Sequence, residues 1–137
     1  MRRTLAALTL AATTIAGIAD NAEARGLRIP AGARKVYASG ACDYLEPYLE
    51  NAGLPVTTFE LIAARESGCR AAGVRVNRRD DLSTSRFGLN FRTAGLRRYW
   101  AQACGATHWT QPGADLTLDV TCAAAAYHEL GLRPWGA

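Results

Sequence analysis

One carboxylate in this 137-residue chain stands where a proton donor would stand. Glu66 continues the helical spacing of Phe59, Ile62 and Ala63, and Gly68 just beyond it is suited to end the helix. Burial on that stripe disfavours the charged form of a carboxyl, and the partly negative carbonyls at a helix C-terminus do the same. Both effects raise its pKa toward the range in which a general acid works near neutrality. The same spacing also allows a purely structural role, with Glu66 turned to solvent or paired with Arg65 or Arg70. A base or nucleophile opposite such an acid would be a second carboxylate, and Asp80 and Asp81 are the candidates. They fall in an Asn77 to Asp81 turn cluster beside Arg78 and Arg79, a setting in which acids are usually just solvated. Asp115 and Asp119 read as first-turn helix residues that complement the dipole.

Four cysteines, Cys42, Cys69, Cys104 and Cys122, and two histidines, His108 and His128, complete the reactive set. No cysteine pair has C-x2-C spacing and the histidines lack ligand-like spacing, so no metal is expected. Neither histidine has a serine or cysteine partner in a recognisable nucleophile setting, and neither is assigned a role.

The elements that must position these groups are mostly helical. Tyr44, Leu45, Tyr48 and Leu49 share a helical face, with Pro47 limiting where regular helix begins and Gly53 ending it. The next helix has Thr57 as N-cap candidate with Glu60 at capping-box spacing, and it carries Glu66. From Val74 to Phe91 the helical period disappears, and Val74 and Val76 alternate with polar residues, which predicts a short hairpin or irregular β-region. Helical spacing returns with Leu96, Tyr99, Trp100 and Ala103, and again with Leu116, Val120, Ala123, Ala124, Tyr127 and Leu130, the last helix closed by Gly131 and Pro134. Tyr127 and Trp100 therefore read as core, while Trp109 could stack on a ligand or cap the core. Short connections make successive helices antiparallel, so the start of one lies beside the end of the next. That order favours disulfides 42–69 and 104–122 over the other two connectivities, each contributing about 3 kcal/mol.

Residues 1–24 read as a secretory signal: Arg2 and Arg3, an apolar run from Leu5 to Ala19, then Ala22-Glu23-Ala24. Export to an oxidising compartment is what makes four cysteines a disulfide set. Residues 25–41, rich in Gly, Ala and Arg, read as an extended lead-in without function, and 42–137 as the single domain. With 49% hydrophobic residues the chain is not a disordered one. No stretch is long and apolar enough for a permanent transmembrane anchor. The net charge of +4 comes almost entirely from arginine and gives a weak, salt-sensitive attraction to anionic polymers. Nucleic acid is not expected as a partner, because the chain is exported.

The run Phe59-Glu60-Leu61-Ile62-Ala63-Ala64-Arg65-Glu66-Ser67-Gly68-Cys69, then Val76-Asn77, then Ala126-Tyr127-His128-Glu129-Leu130-Gly131-Leu132-Arg133-Pro134-Trp135 resembles small secreted and phage-type lysozyme-like proteins of the lytic transglycosylase superfamily. The resemblance spans roughly residues 42 to 135. It implies an α+β, mainly α, lysozyme-like helical domain with a small β-hairpin region and two disulfides. It implies a peptidoglycan-cleaving glycosidase, a lytic transglycosylase or lysozyme, with Glu66 as the acid that cleaves the MurNAc-GlcNAc β-1,4 bond. Ser83, Asn90 and Tyr127 would line the sugar cleft. Where the family has S-Y-G-L-F-Q-I-N, this chain has Ser83-Thr84-Ser85-Arg86-Phe87-Gly88-Leu89-Asn90-Phe91-Arg92, and neither of two registers keeps the glutamine. Matching Gly88-Leu89 to the family's G-L puts Phe91 in its place; matching Ser83 and Asn90 puts Gly88 there. Asn90 is the substitute amide. The expected protein is secreted or periplasmic, monomeric and without a cofactor, and glycan strands of peptidoglycan are its partner. With no firm second carboxylate, the transglycosylase outcome is favoured over hydrolysis. The rival reading is a disulfide-stapled module of the same fold that binds the wall or a partner without cutting.

Overall fold

Prolines and glycines set where the helices start and stop. A computed structural model describes residues 26–70, 75–76 and 82–137. The signal segment and both Asp80 and Asp81 lie outside the described residues. The elements are α1 (Ala31–Ala38), a 3-10 turn (Asp43–Leu45), α2 (Glu46–Asn51), α3 (Val56–Ser67), β1 (Arg75–Val76), β2 (Leu82–Ser83), α4 (Ala94–Cys104), α5 (Gln111–Ala114), α6 (Leu116–Leu130) and a closing 3-10 turn (Arg133–Trp135). The fold is mainly α, with one short antiparallel strand pair, Arg75 opposite Ser83 and Val76 opposite Leu82.

Helix α3 is the centre of the molecule. Thr58 to Ala64 and Ser67 are all buried, so the helix is enclosed on nearly every side rather than along one stripe. Arg65 and Glu66, in its last turn, are only partly buried. Gly68 closes it with φ +66°, a left-handed conformation that favours glycine. The start differs from the capping box expected at Thr57. Pro55 occupies the N-cap position without a side-chain cap, and Thr57 falls inside the first turn. Proline supplies the φ of −62° that leads into the helix, so the helix begins earlier than the Thr57 signal indicates.

Residues 31–38 are not extended as expected. They form α1, which packs on α3 and buries Leu27 and Ala33. Ala33, Val36 and Tyr37 do stand at i, i+3 and i+4, but a helix of eight residues is marginal alone, and packing on α3 supplies what local propensity lacks. Helix α4 opens on Thr93, whose Oγ1 accepts from the Leu96 N–H at 3.1 Å. Helix α6 opens on Asp115, whose carboxylate accepts from the Leu118 N–H at 3.1 Å. Between them, Pro112 helps start α5 inside what the sequence presents as loop.

Both disulfides are those the helix order favours: Cys42–Cys69 ties the lead-in of the first 3-10 turn to the residue after Gly68, and Cys104–Cys122 ties the end of α4 to α6. The aromatic core is centred on Phe59, whose ring meets the edges or faces of Phe87, Tyr127 and Trp135 at centroid distances of 6.0, 5.3 and 5.1 Å. No helix among the described residues is long and apolar enough to cross a membrane.

Candidate active site

The last turn of α3 opens onto a cleft of about 560 Å³. Arg28, Pro30, Arg65, Glu66, Gly88 and Asn90 line it, and Pro134, Trp135 and Gly136 form its far wall. Glu66 is the carboxylate among these residues. Its side chain is 31% exposed, and its Oε1 accepts from Arg65 Nε at 2.7 Å and lies 2.6 Å from the second Arg65 nitrogen. The sequence expectation of a Glu66 enclosed on an apolar stripe is therefore not met. Glu66 shares the helical face of the fully buried Phe59, Ile62 and Ala63, but in the last turn that face runs out into an open cleft, with a guanidinium beside the carboxylate.

Arg65 is itself anchored on two sides. Its guanidinium donates to the Trp135 carbonyl at 3.1 Å and to the Arg28 carbonyl at 3.3 Å. It thus joins the segment before α1, the end of α3 and the closing 3-10 turn. From the segment expected to be an extended lead-in without function, Arg28 and Pro30 form one side of the cleft.

The other side is the turn from Ser85 to Gly88. Gly88 has φ +70°, and a Cβ placed on it would sit 2.7 Å from Glu66 Oε2. Only a glycine lets the backbone come this close to the carboxylate. Phe91, three residues on, is fully buried against Trp100.

The sequence-derived site residues separate into two groups. Glu66 and Asn90 meet in the cleft. The Asn90 side-chain oxygen accepts from the Arg92 N–H at 2.8 Å and the Leu82 N–H at 3.4 Å, so it also shapes the chain around it. Ser83 and Tyr127 do not line the cleft. Ser83 is buried and its hydroxyl accepts from the Ser85 N–H at 3.1 Å, because β2 turns that side chain inward. Tyr127 keeps the core role, its ring against Phe59. Trp109 packs on the core edge, and its carbonyl accepts from the Thr84 hydroxyl.

Two carboxyls that the sequence did not mark are strongly perturbed. Glu60 on α3 is 5% exposed, and burial, with Asp43 and Glu46 nearby, pushes it up to about 7. Asp119 was read as a dipole partner, but it is fully buried. It accepts from Ser85 Oγ at 2.6 Å, the Arg86 N–H at 2.8 Å and the Arg86 guanidinium at 3.3 Å. Burial raises its pKa to about 6 while these donors pull the other way. An acid inside a helix surrounded by valine, cysteine and alanines was the available signal. No group of three or more His, Cys, Asp and Glu residues among the described ones is arranged to hold a metal.

No family model, curated protein or solved structure matches this chain.

Proposed function

We propose that the chain is a peptidoglycan-cleaving glycosidase of lysozyme-like type, secreted or periplasmic, with Glu66 as general acid. The observation that carries this reading is a carboxylate at a helix end in an open cleft, the one among the described lining residues, with the Gly88 backbone against it. Two disulfides fit the oxidising compartment that export provides.

In this mechanism the Glu66 proton passes to the glycosidic oxygen as the C1–O bond breaks through an oxocarbenium-like transition state. The muramic 6-hydroxyl then attacks C1 and returns its proton to Glu66, giving a 1,6-anhydro end, or water takes its place and gives a reducing end. Glu66 is the one carboxylate among the described lining residues, and Asp80 and Asp81, the candidates for a second, lie outside them. For Glu66 to carry the proton, its contact with Arg65 has to loosen when substrate enters.

That contact also supports a second reading, in which the Arg65–Glu66 pair is a fixed part of a wall-binding or partner-binding surface and no cutting occurs. Mass spectrometry of soluble products from purified peptidoglycan distinguishes the two. Anhydromuramic ends with the native chain and none with Glu66→Gln support the transglycosylase; reducing ends direct attention to Asp80 and Asp81. A folded, oxidised chain that releases nothing dependent on Glu66 is the binding module.

A further inference from the structure

The wall of the cleft opposite α3 is held from a distance. Arg86 is clamped at both ends of its peptide: its N–H donates to Asp119 on α6, and its carbonyl accepts from Ser67 Oγ on α3 at 2.8 Å. Its side chain continues the link, donating from the guanidinium to Asp119 and from Nε to the Tyr44 hydroxyl at 3.0 Å. The Tyr44 hydroxyl donates in turn to the Cys69 carbonyl. Ser85 completes the turn, its hydroxyl donating to Asp119 and accepting from the Phe87 N–H at 3.0 Å. One residue further on, Gly88 lies against Glu66.

We propose that Asp119 is a positioning residue for the cleft, fixing the Ser85–Arg86 turn so that Gly88 is seated on the Glu66 carboxylate. Its influence on catalysis rests on the glycosidase reading, but the positioning itself does not. A fully buried side chain that accepts from three donors on two successive residues determines where that turn can lie. Removing its charge leaves the Arg86 guanidinium without its ion-pair partner and loosens the turn. Arg86 is the charged group that acts on Asp119, with Tyr44 behind it and Asp115 one turn earlier on α6. Because burial lifts the Asp119 carboxyl to about 6, its charge, and with it the seat of Gly88, changes within an accessible pH range.

The test follows the Gly88 amide by NMR from pH 4 to 8 in the oxidised chain, with Glu66→Gln as background so that Glu66 itself is silent. An inflection near pH 6 that disappears on adding Asp119→Asn supports the proposal. An inflection that survives Asp119→Asn, or none in the Glu66→Gln background, overturns it. If Asp119→Asn does not fold, Ser85→Ala removes one donor to the carboxylate and should move the inflection to higher pH; an unmoved inflection overturns the proposal. With peptidoglycan as substrate, Asp119→Asn should lower kcat on the order of 100-fold and remove an acid limb near pH 6 from the profile. A native chain without Glu66-dependent cleavage would sink the glycosidase reading and leave the amide titration to judge the positioning role.

Discussion

At the residue scale, one guanidinium and one backbone turn define what Glu66 can do. Arg65 holds one carboxylate oxygen, and Gly88 fills the space at the other. Gly88→Ala puts a methyl 2.7 Å from Oε2 at a φ of +70°. It should cost on the order of 1–3 kcal/mol by denaturant unfolding and displace Glu66, so cleavage falls more than stability does. Loss of stability with full cleavage would show that the carboxylate works from elsewhere. The Glu66 position was legible because helical spacing and a terminal glycine are local signals. Its salt bridge was legible only as one of two alternatives, since whether the last turn of α3 is covered or left open depends on elements far along the chain. Arg28 and Asp119 were not legible as site residues at all. One contributes through its backbone carbonyl, which no side-chain pattern records, and the other resembled an ordinary first-turn acid.

At the element scale, α3 carries a cost in its middle turn. Glu60 is raised to about 7 in the folded chain, above its unfolded value of about 4.5. Its contribution is therefore fully present below pH 4.5 and is lost as pH rises through 7. Glu60→Gln should stabilise the protein at pH 8 by on the order of 2–3 kcal/mol and have little effect at pH 4. Thermal unfolding at both pH values checks this, and equal effects at the two would remove burial of the charge as the cause. The helices themselves were legible where glycine, proline or a cap punctuates them, as at Gly53, Gly68, Gly131 and the long period of α6. Failure came where packing decides: α1 gains its stability from α3, and the start of α3 follows Pro55 rather than the capping pattern beside it.

At the scale of the whole molecule, two covalent ties bracket different halves. Cys42–Cys69 closes a loop around α2 and α3, and Cys104–Cys122 joins α4 to α6 with a separation of 18 residues. Replacing Cys104 and Cys122 together by serine should cost about 3 kcal/mol in chemical unfolding. It should leave Glu66-dependent cleavage in place at temperatures where the variant is folded, because the cleft is lined from other parts of the chain. Cleavage abolished in a folded variant would mean that the α4–α6 tie also sets the cleft.

Arg65 reaches backbone partners 37 residues before it and 70 residues after it. Expressed in time rather than space, the cleft cannot be complete until residue 135 has been made. A chain synthesised from its N-terminus carries Glu66 long before it carries Trp135, and until Trp135 arrives Arg65 has only one of its two carbonyl anchors. The same wait applies to the aromatic core, since Trp135 also packs on Phe59.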